Sequence, residues 1–144
     1  MTQTQRFFWM WAESQLSLCG CGTDGPMEVV KEVLERAWQF WSIEHPASLH
    51  LRLDMPMRDA KGRWVELVAK FLDDKGFLEH GTSIGCAWLT DRGKGLLALL
   101  SAGYHHQAEC GCDAKEYEEY KAFLSSPACI DAAANEWMAW EPRT

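Results

Sequence analysis

No stretch of this chain is apolar for long enough to cross a bilayer. The first apolar run, Phe7-Phe8-Trp9-Met10-Trp11-Ala12, breaks at Glu13 and Gln15 and leads to no small-residue cleavage site. It does not read as a secretion signal, and the expectation is a soluble, cytoplasmic protein. Low-complexity linkers and tandem repeats are also lacking, so a single domain over residues 1–144 is the simplest organisation. A Gly-Lys-Ser/Thr phosphate loop is missing, and the one glycine-flanked loop, Gly81-Thr82-Ser83-Ile84-Gly85, joins strand to strand.

Surplus basic charge is missing as well. The net charge is -7, and a uniformly acidic surface repels nucleic acid, because duplex binding relies on Lys and Arg neutralising phosphates. The charge is uneven: -3 over residues 1–60, +1 over 61–103 and -5 over 104–144. What the chain does have is apolar mass. At 47% apolar and 12% aromatic it is globular rather than disordered. Its 144 residues suffice for a real core. The eight tryptophans read mainly as core, with some as contact anchors.

Two short stretches stand out, Leu18-Cys19-Gly20-Cys21-Gly22 and Glu109-Cys110-Gly111-Cys112-Asp113. Nothing else repeats so closely. Without a secretion signal, six cysteines favour metal or free thiols over a disulfide framework. Zinc takes four thiolates in a tetrahedron, and Cys19, Cys21, Cys110 and Cys112 supply that set for a structural Zn2+. Free thiols, a disulfide or an iron–sulfur cluster are the alternatives. His105 or His106 could replace one Cys. A closed four-Cys site leaves no open position for catalysis. Cys86 and Cys129 sit on apolar faces and read as buried fillers.

Residues 4–18 carry aromatics at helical spacing, with a strand through Phe7–Trp11 as the rival. Asp24 or Gly25 caps the next helix, with Pro26 in its first turn. Val30, Leu34, Ala37, Trp38 and Trp41 form its buried stripe, joined by Val33 and Phe40, as far as about Ser42. Ser48–Leu53 alternates as a short strand. A helix follows from Arg58 or Gly62 to Lys75, with Trp64, Leu67, Val68, Phe71 and Leu72 inward and Gly76 as its left-handed cap. Phe77–His80 and Cys86–Leu89 read as paired strands. Thr90 or Asp91 then caps a helix with Leu96, Leu97, Leu99 and Leu100 inward, closed by Gly103. Asp113 and Glu116 have capping-box spacing before a helix expected to bury Tyr117, Tyr120 and Leu124. After Ser126-Pro127, a last helix presents Ile130, Ala133, Ala134, Trp137 and Met138 to the core.

Phe71-Leu72-Asp73-Asp74-Lys75-Gly76-Phe77-Leu78-Glu79, then Trp88-Leu89-Thr90-Asp91-Arg92-Gly93-Lys94-Gly95-Leu96-Leu97, resembles the winged helix-turn-helix family. Its members end the recognition helix with a glycine and two apolar residues, and resume after the wing with Leu-Thr-x-x-Gly. The resemblance spans residues 27–102, about half the chain. It implies a mainly α fold with a small antiparallel β-sheet. Combined with the Cys spacing, the expected architecture is a winged-helix-like core with flanking helices joined by the four-Cys metal site, and with the acidic helical segment 104–144 packed on it. The helix in the recognition position sets Glu66, Asp73 and Asp74 against Arg63, Lys70 and Lys75, poor material for a major-groove reader. Protein binding suits this balance better. A second resemblance rests on Cys19-Gly20-Cys21 and on Glu79-His80-Gly81-Thr82-Ser83-Ile84-Gly85 with Trp88-Leu89-Thr90. In these the chain is similar to small uncharacterised proteins encoded by bacteriophages, which implies action in a bacterial host cytoplasm.

The leading expectation is a non-enzymatic, zinc-stabilised factor that binds a protein, for instance a host-takeover or anti-defence protein such as an inhibitor of a CRISPR effector. Its partner would be a host nucleic-acid-handling complex. Candidate contact residues are Thr82, Ser83 and Ile84 in the wing, Arg63 and Lys70 on the preceding helix, and Glu116, Glu118 and Glu119 in the acidic segment. The alternatives are a DNA-binding transcription regulator and a small enzyme built on Cys110 with His105 or His106. The zinc reading is checked by elemental analysis: purified protein should hold about one zinc per chain. A folded, metal-free protein with all four thiols reduced excludes it.

Overall fold

Thr2 and Gln5 start the first helix with a capping box. The Thr2 hydroxyl accepts from the Gln5 backbone N–H at 3.1 Å, and the Gln5 side-chain oxygen accepts from the Thr2 N–H at 2.8 Å. The helix is α1 (Gln3–Leu16), which settles the helix-or-strand question at Phe7–Trp11. The computed structural model describes residues 1–16, 24–42, 65–81, 87–103 and 114–139. Along these the order continues with α2 (Asp24–Ser42), α3 (Val65–Asp74), β1 (Leu78–Glu79), β2 (Trp88–Leu89), α4 (Asp91–Ser101), α5 (Ala114–Leu124) and α6 (Pro127–Met138). The described chain is thus mainly helical with one small antiparallel sheet. The strand expected at Ser48–Leu53 lies outside the described residues, as does the start of the helix that becomes α3.

The turn out of α3 forms because Gly76 adopts φ +84°, a left-handed conformation that costs glycine little. Two bonds then close the helix end. The Gly76 N–H donates to Asp73 O at 3.0 Å and the Phe77 N–H to Leu72 O at 2.9 Å, with Leu72 and Phe77 both fully buried. The hairpin follows, with Leu78 opposite Leu89 and Glu79 opposite Trp88. Alternation puts Leu78 and Leu89 in the core and Glu79 on the exposed face.

Thr90 joins this hairpin to α4. Its hydroxyl accepts from the Gly93 N–H at 3.1 Å, as an N-cap should, and donates to Gly76 O at 2.6 Å. Its own N–H donates to Phe77 O at 3.3 Å. α4 then runs along α6 and also touches α1, α2 and β2. A Cβ on Gly95 would stand 2.6–2.8 Å from Ala134, so this crossing needs glycine. One hydrophobic core collects Phe8, Val33, Leu34, Leu72, Phe77, Leu96, Leu99 and Trp137 from α1, α2, α3, the hairpin, α4 and α6. Each such side chain contributes about 1.5–3 kcal/mol when fully buried.

Several inward residues differ from the sequence expectation. On α5 the buried residue is Phe123, whereas Tyr117 is 51% and Leu124 is 41% exposed. The helix is turned so that Glu116, Tyr120 and Phe123 face α1. Phe7 packs on both rings there, with centroids at 5.3 Å to Tyr120 and 5.6 Å to Phe123. Tyr117 is left outside under the Lys121 ammonium. Trp38 (44% exposed) and Met138 (42%) also point outward, each one position beyond a buried residue, Ala37 or Trp137. A 3.6-residue period makes such neighbours hard to separate at the edge of a stripe.

Two pairs of variants, measured by chemical denaturation, check these contacts. Gly93→Ala should cost about 2 kcal/mol, because the new Cβ would overlap the Phe77 carbonyl, while Gly81→Ala, with none of the described residues within 4 Å of the new Cβ, should be close to neutral. Phe123→Ala should cost about 3 kcal/mol, and Tyr117→Ala should stay within about 0.5 kcal/mol.

Candidate functional site

In the sequence each Cys-Gly-Cys falls between two described helices, the first between Leu16 and Asp24 and the second between Ser101 and Ala114. Cys19, Cys21, Cys110 and Cys112 lie outside the described residues, together with His105, His106, Cys86, Arg63 and the expected wing residues Thr82, Ser83 and Ile84. The helices that flank the two motifs are described, and they pack on one another. α1, which precedes the first pair, touches α4 and α5, which bracket the second, and α2 touches α4. Among the described residues, no three His, Cys, Asp or Glu side chains are grouped to hold a metal ion.

The acidic candidates on α5 divide by face. Glu116 forms an ion pair with Arg6 of α1. Glu119 accepts from the Gln3 side-chain amide at 2.8 Å. Glu118 points into solvent beside Lys121, at 3.4 Å. Glu118 and Lys121 are both largely exposed, and an exposed pair of this kind contributes little to stability. Lys70 is exposed on α3. At the far end of that helix, the Asp73 carboxylate pairs with His80 Nδ1 across the turn, which ties the end of β1 back to α3.

An open cleft of about 500 Å³ lies between the hairpin and the start of α4. Glu79 and Trp88, the cross-strand pair on the outer face of the hairpin, form one side. Asp91, Arg92 and Asp131 form the other. Arg92 bridges three helices here. Its Nε–H donates to Asp131 Oδ1 at 2.8 Å, and its guanidinium lies 5.2 Å from the centre of the Trp11 ring. Neither the cleft nor the role of Arg92 was apparent in the sequence. The partners on α1 and α6 are far from it in the chain, and no local spacing brings them together.

No protein-family model, no curated protein and no solved structure matches this chain.

The outward surface of α5 and α6 carries Tyr117, Leu124 and Met138. On α5, Tyr117 and Leu124 are seven residues apart, two helical turns, and so share one side. Cys129 is exposed, which corrects its expected place in the core. The cause is the register of α6. Ser126 caps the helix and Pro127 opens it, so Ile130, Ala133, Ala134 and Trp137 turn inward and Cys129 falls one position short. Cys129 should therefore react with iodoacetamide in the folded protein. Mass spectrometry of the peptide would show it, and its protection under native conditions would contradict this register.

Proposed function

We propose that this chain is a non-enzymatic protein-binding factor, held together by a structural zinc at Cys19, Cys21, Cys110 and Cys112. Its core is winged-helix-like over residues 27–102. It belongs in this reading with phage-encoded host-takeover or anti-defence factors, such as inhibitors of a CRISPR effector, and acts in a bacterial cytoplasm. The observation that carries the binding role is the outer side of α5. An acidic helix presents Tyr117 and Leu124 to solvent while Phe123 fills the core position beside them. Large apolar side chains set among charges are the usual anchors of a protein interface.

Other features support the remaining parts. The contacts of α1 with α4 and α5 fit a metal that gathers the two Cys-Gly-Cys connections. The order α3, β1, β2, α4, with Gly76 and Thr90 at its corners, fits a helix followed by a wing. The net charge of -7 favours a basic protein surface over a phosphate backbone. The phage setting rests on the Cys-Gly-Cys and Glu79–Thr90 motifs.

The test compares wild type with a Tyr117→Ala/Leu124→Ala variant, checked for folding by circular dichroism, as bait in a bacterial lysate. A partner captured by wild type should be identified by mass spectrometry and its affinity measured for both. The double variant should bind on the order of tenfold or more weakly, as expected for two truncations of about 1 kcal/mol each. Equal affinity removes α5 from the interface. Tight binding of random DNA duplex at low salt, lost steeply as salt rises, would replace the reading with a DNA-binding regulator.

A further inference from the structure

We draw no further inference here: the strongest candidate, the open cleft between the β1–β2 hairpin and the start of α4, sets the carboxylates of Glu79, Asp91 and Asp131 against Arg92 and the positive end of a helix, so nothing in the structure says which charge it would receive.

Discussion

The first turns of α4 have no room for a side chain on two sides, and the rest of the structure is arranged around that fact. At Gly93 the Phe77 carbonyl lies where a Cβ would be, and at Gly95 the backbone of Ala134 does. Each glycine weakens the helix by about 1 kcal/mol relative to alanine. The cost is offset by what close approach permits. On the hairpin side, Thr90 reaches Gly76 O and caps α4 with the same hydroxyl. On the other, α6 lies close enough for Arg92 to meet Asp131 and for Ala133, Ala134 and Trp137 to be fully buried. Packing at this density tolerates little added volume.

α1 closes the same assembly from its amino end. The capping box of Thr2 and Gln5 is also a tertiary joint. The Thr2 hydroxyl donates to Glu136 Oε1 at 2.6 Å, and the buried Gln5 amide reaches Glu136 O at 3.4 Å. The indole N–H of Trp137 donates to Gln5 O at 2.8 Å. A fully buried tryptophan needs such a partner, since an unsatisfied N–H there costs about 1–3 kcal/mol. Local capping and long-range packing therefore depend on the same few atoms, which couples the formation of α1 to the docking of α6.

Much of this was legible in the sequence where one residue type has one physical reason to be in place. Gly76 after an apolar stripe, Thr90 three residues before Gly93, and Ser126 before Pro127 each specify a helix boundary locally, and the boundaries fall there. The faces of α5 and α6 were less legible. In α5 the stripes through Tyr117 and Leu124 and through Phe123 are both aromatic or aliphatic and overlap at Tyr120, so periodicity alone does not choose. The choice is made by Phe7 and Arg6 on α1, more than a hundred residues away. Cys129 and Met138 each adjoin a buried residue, Ile130 or Trp137, and a 3.6-residue period separates such neighbours poorly. The four cysteines and the segments expected to form a wing (82–86) and a strand (48–53) fall outside the described residues.

The distribution of acid on α5 bears on which surface acts. Counting charges along the chain makes residues 104–144 look like one acidic face, yet Glu116 and Glu119 are directed at Arg6 and Gln3. They fasten α5 to α1, and what α5 offers outward is Tyr117, Glu118, Lys121 and Leu124, a mixed surface with an apolar share. An apolar contact with a charged rim asks for this arrangement. In the proposed protein-binding role, a partner docking on α5 would be recognised through its shape and apolar area first and its charge second. That ordering makes the predicted dependence on Tyr117 and Leu124 stronger than any dependence on salt.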